Sequence, residues 1–272
     1  MVKHLKKKMA KEIKTKYLND ISKHRCYYDL EAINDSFFDY IKQKFGNKTK
    51  IHTDYGCDKN VLIFPIEKIV IKFSKVSGNK EVKNYLMARK ENLQDFFAKT
   101  EEIIFYQNEE YDFKVSVYFQ EYIDLDKNQG TQNFLLSKEE NKTVEDFIRK
   151  TNSVSSIVLE NGGSVPLIRD WNFAAHVYFN LSEEKRNLLL KFLVENKIND
   201  LHNGNFIITK NKKIIIYDYS GYDNKYSYYS SYNYSYDSFE DYSSDEDCYD
   251  SDEYCSFNFM KYYYTSDDWE GK

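Results

Sequence analysis

Asp200-Leu201-His202-Asn203-Gly204-Asn205 opens a segment that ends in Tyr217-Asp218-Tyr219-Ser220-Gly221. In this segment an acid, an amide and a second acid follow one another with the spacing D-x4-N-x12-D, at Asp200, Asn205 and Asp218. Two apolar runs, 206–208 and 214–216, lie between the amide and the second acid, and a polar linker separates them. This pattern predicts a loop, a short β-hairpin and a turn, in that order. Because a hairpin brings its two ends together, we expect the three polar side chains to share one site.

The charge of the chain is distributed unevenly. The whole sequence of 272 residues has a net charge of −5, but residues 222–272 hold 13 of the 44 acids and 3 of the 39 bases. These residues are rich in Tyr, Ser and Asp, a composition that predicts a disordered, low-complexity tail. An acidic tail on a mildly basic body favours a protein partner for the tail, or a solvating role, over nucleic-acid binding.

The sequence carries no signal for secretion, membrane insertion or a structural metal. The cysteines lack metal-ligand spacing and indicate free thiols in a reducing compartment; they are Cys26, Cys57, Cys248 and Cys255. The Lys-rich N-terminus has no apolar core of the kind that a signal peptide needs. No apolar run approaches the roughly 18–20 residues of a membrane span. We therefore expect a cytoplasmic protein.

Hydrophobic periodicity predicts a β-rich first half and a helical second half. An apolar residue recurs at every fourth position of 3–22, which predicts an amphipathic helix that either packs on the body or presents its lysines to a membrane surface or an acidic partner. Packing on the body is the simpler expectation. The predicted helices are 3–22, 30–45, 80–98, 139–151, 170–180 and 183–197, and the predicted strands are 61–64, 69–73, 102–106 and 114–122, followed by the hairpin at 205–218.

Five polar residues have the chemistry that phosphoryl transfer requires, namely cations for the phosphates and an oriented acceptor hydroxyl. Lys72 is a lone cation among apolar strand residues, and a buried lysine needs an anionic partner, which Glu81 in the next helix can supply. Asp200 would accept the proton of the acceptor, while Asn205 and Asp218 offer the oxygen ligands that Mg²⁺ prefers. Each residue alone has a simpler explanation, such as a snorkelling lysine or a turn-forming Asp. Their joint occurrence in this order favours the functional interpretation.

The pattern resembles the protein-kinase-like fold, and within it the aminoglycoside-phosphotransferase type of small-molecule kinase and the short phage and giant-virus kinase-like proteins. That group carries a D-L-H-x-G-N loop, to which 200–205 is similar, and 79–85 resembles the N-x-E-x3-aromatic start of its helix. The resemblance covers about 50–221. It implies catalytic roles for Lys72, Glu81 and Asp200, nucleotide binding by Gly56, Lys72, Glu121 and Ile123, and Mg²⁺ binding by Asn205 and Asp218.

The resemblance also implies an α+β, two-lobed fold. The two lobes are a small β-rich N-lobe (48–123) and a truncated helical C-lobe (124–221). Periodicity and composition add an N-terminal helical extension (1–47) before them and a disordered C-terminal tail (222–272) after them. In this fold Gly56 lies in a loop that covers phosphates, and Glu121 and Ile123 lie in the hinge between the lobes, where backbone groups meet adenine.

The expected function is Mg²⁺-dependent transfer of the γ-phosphoryl group of ATP to a hydroxyl acceptor. A small molecule is the favoured acceptor, because the later helices that form the substrate platform of larger kinases have no sequence to build them. Departures from the kinase pattern keep other interpretations open: the loop 54–60 has one glycine, the C-lobe is truncated, and the turn at Asp218 has the sequence Asp-Tyr-Ser-Gly. The alternatives are a pseudokinase, which binds a partner without turnover, and an interaction protein whose tail carries the function.

Overall fold

The computed structural model describes residues 2–24, 29–55, 59–74, 79–109, 113–124, 136–155, 157–158, 164–199, 201–202 and 204–220. Within these residues the protein is an α+β structure in which helices are combined with a five-stranded antiparallel sheet. The predicted catalytic residue Asp200, the predicted phosphate-loop residue Gly56 and the predicted tail at 222–272 lie outside the described residues.

The helices and strands follow the chain in this order. Helix α1 (Val2–Glu12) continues through a π-helical turn (Ile13–Tyr17) into α2 (Leu18–Ile21), and α3 (Asp29–Phe45) follows. Next come β1 (His52–Tyr55), β2 (Lys59–Phe64), β3 (Ile69–Ser74), α4 (Lys80–Lys90), a 3₁₀ turn (Gln94–Phe96), β4 (Thr100–Asn108) and β5 (Phe113–Glu121). The second half holds α5 (Lys138–Val154), β6 (Ile157–Val158), β7 (Ser164–Val165), α6 (Trp171–Asn180), α7 (Glu183–Glu195), β8 (Phe206–Ile208) and β9 (Ile214–Ile216).

The main sheet has the strand order β1-β2-β3-β5-β4, and every neighbouring pair is antiparallel. Successive side chains of a strand belong to opposite faces of the sheet. On β3, Ile69, Ile71 and Phe73 belong to one face and Lys72 belongs to the other. The register places Lys72 opposite Tyr118 of β5. One face of the sheet is therefore apolar, and the other carries polar side chains.

Helices α1 to α3 cover the apolar face of the sheet. The apolar residues that recur at every fourth position of the first helical segment, namely Met9, Ile13, Tyr17 and Ile21, are all buried. Tyr17 packs edge-on against Phe73 of β3, with the ring centroids 5.1 Å apart. Packing of this segment on the body, the simpler expectation from the sequence, is confirmed. The apolar stripe of this helical segment is therefore buried in the protein core.

A second hydrophobic core joins α4 to the helices and the hairpin of the second half. Ala88 of α4, Phe173 of α6 and Phe192 of α7 are fully buried in it. Phe97, which follows the 3₁₀ turn, packs against Phe192 with the ring centroids 5.4 Å apart and forms a parallel bridge to Ile216 of β9. This contact fixes the predicted hairpin against the segment that leads into β4.

The structure differs from the sequence prediction in the end of one helix and in three strands that were not predicted, β1, β6 and β7. The helix predicted over 80–98 ends at Lys90, because Asn92 adopts a φ of 60° and the N–H of Leu93 returns to the carbonyl of Ala88 at 2.7 Å. The strand β1 was not predicted because its sequence, His-Thr-Asp-Tyr, has no aliphatic residue. Its strand conformation is stabilised by pairing with β2. Among the described helices, none is both long and apolar enough to cross a membrane.

Burial of His176 in α6 makes the stability of the protein depend on pH. Burial, with a smaller contribution from the charge of Lys212, lowers the pKa of the imidazole from 6.5 to about 4. The unfolded chain therefore binds a proton at a higher pH than the folded chain does, and stability is lost as the pH falls from 6.5 toward 4. We expect this group alone to lower the free energy of unfolding by about 2 kcal/mol between about pH 7 and about pH 5.

Urea denaturation at these two pH values measures the effect. His176→Gln removes the titrating group and keeps a polar side chain, so the variant should lose about 2 kcal/mol less than the wild type over the same interval. An equal loss in both proteins would contradict the lowered pKa of His176.

Candidate functional site

The candidate site lies on the polar face of the sheet, where β3, α4 and the turn after β9 meet. Strand β3 supplies Lys72, the first turn of α4 supplies Glu81, and the turn after β9 supplies Asp218. Strand β2 supplies a fourth charged residue, Lys59. Lys59 belongs to the same face as Lys72, since it lies two residues before the position that pairs with Lys72. Two lysines of the sheet thus face helix α4 and the turn after β9.

Glu81 is the centre of this cluster. Its side chain is 1% exposed, and a carboxylate at such depth is stable only when it is paired and hydrogen-bonded. Its hydrogen-bond and ion-pair partners are Lys72 Nζ (3.5 Å to each oxygen), Lys59 Nζ (3.2 Å), the Tyr118 hydroxyl (2.8 Å), Gln120 Nε2 (3.3 Å) and the Tyr219 backbone N–H (3.2 Å). Because these donors come from three strands and from the turn, Glu81 connects the sheet to the turn that carries Asp218.

Lys72 contacts the same turn directly. Besides pairing with Glu81, its Nζ donates to the carbonyl oxygen of Tyr217 at 2.8 Å. Gln120 Nε2 donates to the same oxygen at 2.9 Å. Tyr217 is the residue immediately before Asp218. The structure therefore brings Lys72, Glu81 and the Asp218 turn together, as the sequence pattern predicts.

Lys59 is the site residue that the sequence analysis missed. Its Nζ donates to Asp218 Oδ1 at 2.6 Å and to Ser220 Oγ at 2.8 Å, and it lies 3.2 Å from Glu81 Oε1. The three acceptors match the three N–H donors of an ammonium group. The only signal in the sequence is a lysine two residues before the apolar run 61–64. The register of β2 against β3 shows that it shares a face with Lys72.

The two carboxylates of the cluster have opposite pKa shifts. Burial raises the pKa of Glu81 above its ordinary value of 4.5, against the attraction of Lys59 and Lys72. Burial acts in the same direction on Asp218, but the charges of Lys59 and Lys72 outweigh it and hold the pKa of Asp218 well below its ordinary value of 3.8. The side chain of Asp218 is also 33% exposed, whereas Glu81 is enclosed. Asp218 therefore keeps its negative charge at neutral pH and is accessible, as a cation ligand must be.

Main-chain hydrogen bonds join the loop before the hairpin to the turn after it. The carbonyl of Asn205 accepts from the N–H groups of Tyr217 at 2.9 Å and Asp218 at 3.2 Å. His202 braces the loop: its Nδ1 accepts from the Gly204 N–H at 3.0 Å, and its Nε2 lies 3.0 Å from the amide nitrogen of Asn205. These contacts support a structural role for His202 and fix Asn205 next to Asp218.

The predicted hinge residues Glu121 and Ile123 lie at and just after the end of β5. The N–H of Glu121 donates to the carbonyl of Lys99 at 2.8 Å, and its carboxylate accepts from the Lys99 N–H at 3.3 Å. Ile123 packs against a small apolar cluster formed by Ala98, Ile207 and Tyr217. The N–H of Glu121 thus has a hydrogen-bond acceptor within the protein. Ile123 contributes to an apolar surface beside the turn that carries Asp218.

Asp218 and Asn205 fit a divalent cation of the Mg²⁺ type. Mg²⁺ prefers oxygen ligands, and proteins bind it through one or two carboxylates together with substrate phosphates and water. A carboxylate and an amide from two adjoining turns match that description. Across the ranges that the structure describes, no three His, Cys, Asp or Glu side chains gather into a metal site of their own.

No protein-family model matches the chain, and no curated protein matches it either. Four of the site residues predicted from the sequence, Lys72, Glu81, Asn205 and Asp218, come together in the structure. These four residues and Lys59 form the candidate site.

Proposed function

We propose that the protein is an ATP- and Mg²⁺-dependent phosphotransferase that transfers the γ-phosphoryl group to a hydroxyl acceptor. One observation carries the proposal: the buried ammonium of Lys72 pairs with Glu81 and also donates to the carbonyl of the residue before Asp218. The cation and the metal-binding carboxylate are thereby held in a fixed relation. Phosphoryl transfer depends on such positioned charges more than on covalent chemistry by the protein.

The order of the elements supports a kinase-like, two-lobed arrangement. Helix α4 stands between β3 and β4 in the sequence and delivers Glu81 to a lysine on β3, which is the pairing that kinases use to orient the phosphate-binding lysine. The end of β5 leads toward the helical half. The hairpin β8–β9 separates the loop 200–205 from Asp218, as the resemblance implies.

Each residue has one task in this proposal. Lys72 binds phosphate oxygens of the nucleotide, and Asn205 and Asp218 would hold Mg²⁺, which would neutralise negative charge on the phosphate oxygens when bound. Asp200 accepts the proton of the acceptor hydroxyl, and the apolar surface that includes Ile123 contacts the adenine ring.

We propose a small molecule as the acceptor. The loop 200–205 has the sequence that small-molecule kinases carry, with His202 at the position where kinases of the Ser/Thr type have a lysine. Because His202 contacts Gly204 and Asn205, its side chain is used to shape the loop and not to contact a peptide substrate.

The contact between Lys59 and Asp218 favours a second candidate function, a pseudokinase that binds a partner without turnover. The ammonium lies 2.6 Å from an oxygen of the carboxylate that would hold Mg²⁺. If this contact persists in the presence of ATP, nucleotide binding is weak and does not respond to Mg²⁺.

A thermal-shift titration of ATP, with and without Mg²⁺, separates the two candidates. A ligand that binds the native state at a hundredfold excess over its Kd stabilises it by about 2.7 kcal/mol. We expect a Mg²⁺-dependent rise in the melting temperature of the wild type that Asp218→Asn loses. Asp39→Asn makes the same change at a residue that is 71% exposed on α3, and it should keep the rise. The absence of a rise in the wild type, or an equal rise in Asp218→Asn, would contradict the proposal.

A further inference from the structure

The Asp218 carboxylate already has a cation bound to it. Its Oδ1 accepts from Lys59 Nζ at 2.6 Å and from the Ser220 hydroxyl at 3.2 Å. The distance to Lys59 is slightly shorter than the about 2.7–2.9 Å that is usual for a charge-assisted N–H···O hydrogen bond. A Mg²⁺ ion would have to approach an oxygen of this carboxylate to about 2.0–2.1 Å. Two cations this close on one carboxylate repel each other strongly at a partly buried site.

We propose that Lys59 sets the affinity of the site for divalent cations: its ammonium competes with the cation for Asp218 and leaves that carboxylate before a metal binds. The inference rests on the proposed function, in which Asp218 is a metal ligand. The inference goes beyond that function because it assigns control of metal binding to Lys59, a residue of β2.

The charge balance of the cluster supports this competition. Lys59 and Lys72 face the carboxyl groups of Glu81 and Asp218 at Nζ–oxygen distances of 2.6–3.5 Å. A divalent cation would add two positive charges beside these two ammonium groups, and uncompensated charge in a buried region is unfavourable. A polyphosphate brings the missing negative charge. The cation therefore binds together with an anionic nucleotide more readily than alone.

The position of Lys59 gives the displaced ammonium another anion to bind. Lys59 is the first residue of β2 and directly follows residues 56–58, which belong to the loop predicted to cover the phosphates. A lysine side chain is flexible and its charge is compact, so it can exchange a carboxylate for a phosphate oxygen by rotation of the side chain. Lys59 would add a cation to a loop that has one glycine and hence few backbone N–H groups able to approach phosphate.

Binding of Mn²⁺ alone to the whole chain tests the inference without any measurement of activity. The electron paramagnetic resonance signal of free Mn²⁺ gives the Kd. Lys59→Met should bind Mn²⁺ about tenfold more tightly than the wild type, because the direct competitor is gone. Lys72→Met removes the same charge from the same cluster but leaves Lys59 on Asp218, so it should strengthen binding much less. Lys83→Met removes a charge from an exposed position of α4 and should leave the Kd unchanged.

The possible outcomes distinguish this inference from the proposed function. A tenfold gain in Lys59→Met that is lost in Lys59→Met/Asp218→Asn supports both. If Asp218 binds Mn²⁺ in the wild type but Lys59→Met gives no gain, or no more gain than Lys72→Met, the competition is overturned and the metal site stands. If Mn²⁺ alone binds through Asp218 only in Lys59→Met, the competition holds, and metal binding by the wild type requires the nucleotide. If no protein binds Mn²⁺ through Asp218, the competition is overturned, and the ATP titration with and without Mg²⁺ decides the proposed function.

A second substitution guards against unfolding of the first. Lys59 is 6% exposed, so methionine at this position could destabilise the cluster. Lys59→Gln keeps an N–H donor for Asp218 and Ser220 but carries no charge, and it should show the same gain in Mn²⁺ affinity. Circular dichroism identifies which of the two variants is folded, and the Kd of the folded variant decides the result.

Discussion

Glu81→Ala should lower the free energy of unfolding by about 3–5 kcal/mol. The wild-type carboxylate is buried and contacts both Lys59 and Lys72. Its removal leaves two buried ammonium groups with Asp218 as their remaining carboxylate in the cluster. Deleting one partner of a buried ion pair is destabilising because the other charge stays buried without compensation. The hydroxyl of Tyr118 loses an acceptor in the same step.

Urea denaturation followed by circular dichroism measures this loss. Glu102→Ala, at an exposed position of β4, is the matched control and should change the free energy of unfolding by less than about 0.5 kcal/mol. Glu81→Gln keeps the volume and part of the hydrogen bonding, so its loss should lie between those of the two alanine variants. If Glu81→Ala loses less than about 1 kcal/mol, the cluster is not the buried network described here.

Lys72→Met should lower the rate of Mg²⁺-dependent ATP turnover by about 10²–10³-fold, if the protein acts as the proposed phosphotransferase. Lys72 is the cation that Glu81 and the carbonyl of Tyr217 hold in place. A charge that is fixed before the reaction stabilises developing negative charge without having to reorient. Its removal therefore raises the free energy of the transition state. Methionine has a similar length, and Lys59 remains as an ion-pair partner of Glu81, so the substitution removes mainly the charge of Lys72.

The release of ADP in the presence of Mg²⁺ and excess ATP provides the measurement, with water as the acceptor until the natural acceptor is known. Lys83→Met should keep the rate of the wild type, since this residue is exposed on α4. If Lys72→Met retains the wild-type rate while Lys59→Met loses it, Lys59 and not Lys72 is the phosphate-binding lysine. Wild-type rates in both variants would contradict the roles given to this cluster.

The Lys72–Glu81 pair could be predicted from the sequence because each partner gives a local signal. Lys72 interrupts an apolar strand, and Glu81 lies in the first turn of the next helix. Asp218 gives a similar signal, since it follows an apolar run. Lys59 gives only a weak signal: it lies two residues before its apolar run and looks like an ordinary solvated lysine. Its place in the site depends on the register between β2 and β3, which no single residue type encodes.

The fold was predictable where the hydrophobic period is strong and local. The stripe that ends at Ile21 predicts a packed helix, and that packing is observed. The strand order was not predictable, because β3 pairs with β5 across the intervening helix and strand, and periodicity does not specify partners. The end of α4 was also missed. It depends on Asn92 adopting a positive φ, a conformation that asparagine tolerates but does not impose.

The helices that cover the sheet are synthesised before the sheet exists. Helix α3 ends at Phe45, whereas β5, the last strand of the core that these helices share, ends at Glu121. At a synthesis rate of about 5–20 residues per second, the apolar stripe of the helices lacks its partner strands for roughly 4–15 s. Single helices of this length are marginally stable in water. The nascent chain therefore exposes apolar surface to chaperones and to other nascent chains during this interval, and emergence of β5 ends it.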